Sequence, residues 1–264
     1  MHQLTSRMPA WYQDLPEDRA IMKTLLPLFL SLVAIGSEAT AQEAECARER
    51  AAMVVTIRGH ARSYASVLGP RGMSERVMQA MGQTRRHLFI SERSCSIAYA
   101  DTPLSIGRGQ TISQPFIVAF MTELAEVAPD HVVLEIGTGS GYQAAILAHL
   151  ARKVCTIEIV PQLAEAAANT FRNLAYDNVS VRAGDGYAGW PECGPFDAIV
   201  VTAALGHAPP PLIEQLKVGG RLVMPMGSAY ATQQLTVIEK IGPDKTTTRE
   251  VGLVRFVPFT RSRE

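Results

Sequence analysis

The sequence predicts an α/β fold: a doubly wound, mainly parallel seven-stranded sheet with an antiparallel C-terminal edge, preceded by a helical cap. Three observations carry this. From residue 129 onward, short apolar runs alternate with helical segments, the pattern of βαβ units joined by right-handed crossovers. The first run turns into a helix through glycines, Glu135-Ile136-Gly137-Thr138-Gly139-Ser140-Gly141-Tyr142. The last two runs are joined by Gly242-Pro243-Asp244, a turn that sets them antiparallel. Composition agrees. Hydrophobic residues make up 47% and charged residues 19% of 264, enough for a real core. Lys+Arg and Asp+Glu are both 25, which argues against a coat for nucleic acid or for an anionic membrane. The four cysteines form no CxxC pair, and the histidines show no ligand spacing, so neither a disulfide framework nor a metal site is expected.

Taken in order, residues 1–41 form a signal-like segment. Met22-Lys23 precede an apolar run from Leu25 to Ile35, and Ala39-Thr40-Ala41 follows. A basic start, a short apolar stretch and a small-x-small exit are the layout of a secretory leader. The run falls short of the roughly 20 apolar residues of a permanent span. Asp14, Glu17 and Asp18 suit a leader poorly, and a start at Met22 would remove them. Cleavage after Ala41 would take away three positive charges (Arg7, Arg19, Lys23) and four negative ones (Asp14, Glu17, Asp18, Glu38), for a net charge of +1.

Residues 42–128 read as the cap and a loop. Apolar spacing is helical from Glu43 to Ala98, broken at Leu68-Gly69-Pro70-Arg71-Gly72. Ser74 ahead of Val77, Met78 and Met81 reads as an N-cap and an apolar stripe. Asp101 to Gln114 reads as an ordered loop, and Pro115 opens a helix through Ala125. Residues 129–264 form the body, and 42–264 one compact domain. Its predicted strands are Val132–Ile136, Val154–Ile159, Val179–Ala183, Phe196–Thr202, Leu222–Met226, Gln234–Lys240 and Val251–Val257. Helices are expected at Tyr142–Leu150, Pro161–Leu174 and Pro211–Leu216. Cys155 reads as a buried small hydrophobe. Cys46 and Cys95 lie in the lead-in and are available to pair in an oxidising compartment.

Ligands of such sheets bind beyond the carboxyl ends of the strands, where strand order reverses. Gly137, Gly139 and Gly141 allow a tight turn and close backbone approach. The turn is not the dinucleotide fingerprint, whose third glycine would fall at Tyr142. Glu158 ends the second strand about 20 residues on, the distance of an acid that grips ribose hydroxyls. Gly184-Asp185-Gly186 ends the third strand and offers a carboxylate to an adenine amino group. Each feature alone is equally a turn or an exposed strand end. At successive strand ends they together describe a nucleoside site.

These motifs resemble the S-adenosylmethionine-dependent methyltransferases of Rossmann-like fold. The chain further resembles the protein-L-isoaspartate O-methyltransferase family across roughly residues 75–258. The resemblance rests on Tyr99-Ala100-Asp101-Thr102-Pro103-Leu104, on Gly109-Gln110-Thr111-Ile112-Ser113-Gln114-Pro115, on Val133 through Gln143, and on Gly184-Asp185-Gly186. Trp190-Pro191, Pro195 through Ala204, Gly219-Gly220-Arg221 and Val254-Arg255-Phe256-Val257-Pro258 continue it. Thr84-Arg85-Arg86-His87 stands where the family usually has Val-Pro-Arg-His, and His60–Gly72 is a longer connection than usual.

The resemblance implies methyl transfer from S-adenosyl-L-methionine to the free α-carboxylate of L-isoaspartyl (and D-aspartyl) residues in damaged proteins and peptides. It implies that Ser113 is the active-site residue, orienting that carboxylate through its hydroxyl. Thr111, Ile112, Gln114 and Ala203 would border the substrate. Glu135, Gly137, Thr138, Gly139, Ser140, Gly141, Glu158, Asp185, Gly186 and Thr202 would hold the cofactor. Read without the resemblance, Ser113 is equally a loop serine capping the Pro115 helix. A monomer without nucleic-acid or metal partners is expected. Two other readings stay open: a related carboxyl methyltransferase acting on another peptide, and an exported binding protein that keeps the fold without catalysis. The signal-like segment points to export or the periplasm, whereas cofactor supply and the family point to the cytoplasm.

Overall fold

The computed structural model describes residues 20–92, 94–228 and 230–262, with 20–39 described by backbone alone. The start of the leader, residues 1–19, lies outside the described residues. The chain forms two units, Met1–Ala47 and Arg48–Glu264. Helix α1 (Ala20–Ala61) is continuous over 42 residues, so the backbone of the signal-like run is helical. Among the described residues no helix is long and apolar enough to cross a membrane.

Within the second unit, α1 ends with Arg58 and His60 in its last turn, where cations favour the helix dipole. A 3-10 turn and α2 (Ala65–Leu68) follow. The predicted break holds, with Gly69 and Gly72 at positive φ. Helix α3 (Glu75–Gln83) starts as expected, because the Ser74 hydroxyl oxygen accepts from Val77 N–H at 3.4 Å. Its buried face is Val77, Met78, Ala80 and Met81. After α4 (Cys95–Ala98) the expected loop differs from the reading. Part of it is a hairpin, β1 (Leu104–Gly107) with β2 (Gln110–Ile112), pairing Leu104 with Ile112. Strands this short carry too little alternation to be seen in sequence, and the turn rests on Gly107, Arg108 and Gly109, all at positive φ. Helix α5 (Pro115–Leu124) follows, with Pro115 in its first turn.

The body alternates β3 (Val132–Ile136), α6 (Tyr142–Ala148), β4 (Lys153–Glu158), α7 (Pro161–Asn173), β5 (Val179–Ala183), β6 (Phe196–Val201), α8 (Pro210–Gln215), β7 (Leu216–Met226), β8 (Gln233–Gly242) and β9 (Lys245–Val254). The sheet order is β5-β4-β3-β6-β7-β8-β9. The first five strands are parallel; β8 pairs antiparallel with β7 and β9. All five residues of β3 are buried, as a parallel strand covered on both faces requires.

Two strands differ from expectation. Strand β7 starts at Leu216, because Leu216 already pairs with Phe196 ahead of an irregularity in register. Strand β9 covers Lys245–Val254 and not Val251–Val257, since the turn pairs Gly242 with Lys245. Its polar first half is an exposed edge and so carries no apolar signal. Cys155 is buried as expected, but it is disulfide-bonded to Cys193. A partner 38 residues away is invisible to local pattern.

Candidate active site

Strand order reverses between β3 and β6, since β4 and β5 lie to one side of β3 and β6 to β9 to the other. The glycine turn after β3 sits at this switch point and borders a cleft of about 450 Å³. Thirteen of the fifteen expected site residues line it: Thr111, Ile112, Ser113, Gln114, Glu135, Gly137, Thr138, Gly139, Ser140, Glu158, Gly186, Thr202 and Ala203. A loop from the cap and the ends of four strands thus converge on one cavity.

The turn is built by close contacts that only glycine permits. Gly137 has φ 97°, and a Cβ there would lie 2.3 Å from Thr202 Oγ1. The Thr202 hydroxyl donates to Gly137 O at 2.7 Å, tying the end of β6 to the end of β3. At Gly186 a Cβ would meet Ile136 Cγ2 at 2.4 Å. These two positions leave backbone, not side chain, facing the ligand space.

Carboxyl groups secure the rest. Glu158 is buried; its Oε2 accepts from Gly139 N–H at 2.8 Å and its Oε1 from Val160 N–H at 2.9 Å. It therefore holds the glycine turn while lining the cleft. Glu135 Oε2 accepts from the Thr156 hydroxyl. Thr156 has one proton, so Thr138 Oγ1, 2.6 Å from it, is the donor of that contact. Burial pushes the Glu135 carboxyl up to about 8; the Thr156 hydrogen bond opposes this and the Glu158 charge adds to it. Glu135 Oε1 and Gln143 Oε1 are buried without hydrogen-bond partners, and both residues line the cleft. With its carboxyl protonated at neutral pH Glu135 can donate or accept at that oxygen, while Gln143 Oε1 awaits a donor. The ammonium of a nucleoside that carries an amino-acid arm would supply such a donor.

Two expected cofactor residues are placed elsewhere. Gly141, at φ 91°, caps α6, and a Cβ there would meet Phe171 Cζ at 2.7 Å. Its role is packing against α7, and it does not line the cleft. Asp185 also lies off the cleft. Its Oδ1 accepts from Tyr187 N–H at 2.9 Å and its Oδ2 from Arg261 Nε at 2.8 Å and Ser262 N–H at 3.2 Å. Burial pushes its carboxyl up, but Arg261 and the two N–H groups outweigh that and hold it below the usual range. Arg261 also covers the Tyr187 ring at 3.7 Å, so the C-terminal tail engages the carboxylate that sequence assigned to adenine.

The serine loop is held from the cap. Asp101 accepts from Phe116 N–H at 2.7 Å and from Gln114 Nε2 at 3.0 Å, bracketing Pro115 just after Ser113-Gln114. His60 Nδ1 lies 2.7 Å from Asp101 Oδ2. Arg86, fully buried, donates through Nε to Ala98 O at 2.8 Å and covers the Tyr142 ring at 4.8 Å. The N-cap of α5 is Gln114, without a side-chain cap bond, so Ser113 does not cap the helix.

Sequence reading missed one wall. Leu253 through Thr260 lines the cleft, with Thr232 and Gln143. After β9 the chain crosses to Ala204, where Ala204 N–H donates to Val257 O at 2.8 Å and Phe259 N–H to Ala204 O at 2.9 Å. The segment was visible only as part of the resemblance, at Val254–Pro258.

Fold and cleft together define an S-adenosylmethionine-dependent methyltransferase of Rossmann-like architecture. The protein-L-isoaspartate(D-aspartate) O-methyltransferase family matches residues 67–264, and the chain belongs to it. It is 50% identical over 236 residues to protein-L-isoaspartate O-methyltransferase 2 of Syntrophobacter fumaroxidans, covering 89% of this chain and 95% of that one. It is 49% identical over 239 residues to protein-L-isoaspartate O-methyltransferase 1 of Cupriavidus necator, covering 90% and 92%. A Plasmodium falciparum structure described as a protein-L-isoaspartate O-methyltransferase in complex with S-adenosyl-L-homocysteine superposes with TM-score 0.62 at 27% identity, covering 76% of this chain and 99% of that one.

Proposed function

We propose that this protein methylates the free α-carboxylate of L-isoaspartyl, and D-aspartyl, residues in proteins and peptides. The observation that carries the reading is the convergence of the Gln110–Gln114 loop with the glycine turn and Glu158 on one cleft. When bound, S-adenosyl-L-methionine supplies a methyl group made electrophilic by its sulfonium. Gly137, Thr138 and Gly139 offer backbone to it, Gln143 offers a free acceptor, and Glu135 a buried carboxyl. The acceptor carboxylate, with an ordinary pKa near 4, is ionised at neutral pH. It needs no general base, which agrees with a cleft that brings together no Ser-His-Asp or Cys-His set among the described residues. The residues instead align and desolvate. Ser113 donates one hydrogen bond to the carboxylate, and Thr111, Ile112, Gln114 and Ala203 border it. Arg255 is the only cationic side chain among the described residues lining the cleft, which favours an anionic acceptor.

The test is methyl transfer from labelled cofactor to an isoaspartyl peptide and to its aspartyl twin. Turnover of the first alone supports the reading; turnover of neither overturns it. We further propose that residues 1–41 are a cleaved leader and that 42–264 act as a monomer outside the cytoplasm. The signal-like pattern supports this, and so does the buried Cys155–Cys193 disulfide, a bond favoured in oxidising compartments. Sequencing the native N-terminus tests it: a start at Gln42 is expected, and an intact leader overturns it.

A further inference from the structure

The isoaspartyl residue is one link in a polypeptide, and only its side can enter the cleft; its neighbours must lie on the rim. One part of that rim is unusual. In the loop between β7 and β8, Tyr230 is 94% exposed, and Leu253 on β9 is 65% exposed while also lining the cleft. Single exposed apolar side chains are ordinary on a protein surface; these two stand out because Leu253 lines the cleft and Tyr230 lies two residues from Thr232, which lines it too.

The loop that carries Tyr230 is fixed in place. Gln233, buried, donates through Nε2 to Ser228 O at 3.0 Å and to Ala231 O at 2.8 Å, while its Oε1 accepts from Phe256 N–H at 2.8 Å. One amide side chain thereby closes the loop and ties it to the cleft-lining segment after β9. Pairing of Gln234 with Leu253 and of Gln233 with Val254 continues the tie. Thr232, two residues from Tyr230, is itself at the cleft. Thr232 and Leu253 make this part of the rim continuous with the site, and an aromatic side chain offers a large contact area to a chain lying there.

We propose that Tyr230 and Leu253 form a docking shelf for the polypeptide flanking the isoaspartyl residue, and that it selects apolar neighbours. This rests on the isoaspartyl reading of the cleft. Both side chains are uncharged, and the exposed Arg255 stands two residues beyond Leu253 on the same cleft wall, so the shelf sorts neighbours by an apolar side chain beside a fixed cation.

The experiment compares two isoaspartyl hexapeptides that differ only in leucine or serine beside the isoaspartyl residue. Both are assayed with wild type, Tyr230→Ser, Leu253→Ser and the double variant. Thermal unfolding and cofactor Kd establish that each variant is folded. The expected result is a KM for the leucine peptide raised several-fold in Tyr230→Ser, with kcat unchanged and the serine peptide altered less than about twofold; the variants at Leu253, which lines the cleft, should show a larger loss for the leucine peptide than for the serine peptide. Equal KM changes for both peptides, or none, overturn the shelf alone. Absence of turnover by wild type overturns the reading of the cleft and the shelf with it. A wild-type dimer that Tyr230→Ser dissociates assigns the patch to a second copy and also overturns the proposal.

Discussion

Glu135 closes β3 as a fully buried carboxyl facing the cleft, and it is the clearest pH-sensitive group of the site. Its pKa rises from 4.5 to about 8, chiefly through burial. A carboxyl raised in the folded state gives stability that is complete below its unfolded pKa and lost as pH climbs toward the folded value. Glu135→Gln keeps the neutral form throughout. Between pH 5 and 8, its unfolding free energy should gain on wild type by on the order of 1.4 kcal/mol per pH unit, measured by denaturant titration. A constant difference across that window would mean an ionised Glu135. Ser113→Ala should lower kcat about tenfold or more while cofactor Kd stays within about twofold; unchanged turnover would remove its role. His60 contacts Asp101, which in turn holds Gln114, the neighbour of Ser113 in the chain. His60→Asn places an amide where Nδ1 stood and should retain activity. His60→Ala should reduce kcat several-fold, by about 1 kcal/mol of lost orientation, without moving cofactor Kd.

At the scale of elements, the glycine turn separates ligand positions from packing positions. Gly137→Ala drives a methyl into Thr202, and Gly141→Ala drives one into Phe171. Both positions also need positive φ. Each alanine should cost about 1–3 kcal/mol of stability. Cofactor Kd should rise sharply only for Gly137→Ala, as calorimetry with folded protein at low temperature would read. Equal loss of binding in both would place Gly141 back at the cofactor. The hairpin β1–β2 works differently: apart from Ile112 it is not buried, and the chain on either side of it is held by Asp101 to Gln114 and Phe116 and by Arg86 to Thr102 O. A helical cap therefore shapes the acceptor side, while the sheet shapes the cofactor side.

At the scale of the whole molecule, a long-range covalent link joins β4 to the segment before β6 through Cys155 and Cys193. Cys155→Ser with Cys193→Ser should lower unfolding free energy by about 2–4 kcal/mol, and reduction of the wild type should do the same. An equal midpoint with and without reductant would show that the bond contributes nothing. Sequence by itself determined the order of strands and helices from residue 129 onward, since alternation of apolar runs is a local property; the short β1–β2 hairpin escaped it. It also determined the switch-point turn, because glycine at a tight turn is a local necessity, whereas Ser113 was singled out only by the family resemblance. It did not reveal that Gly141 abuts Phe171 or that Asp185 meets Arg261, because those partners lie 30 and 76 residues away. The tertiary structure alone decided that Leu253–Thr260 walls the cleft, that Asp101 clamps the serine loop, and that Cys155 has a partner. Each of these is a pairing of distant residues, and which distant residues meet is fixed by how the sheet closes and packs, not by any spacing along the chain.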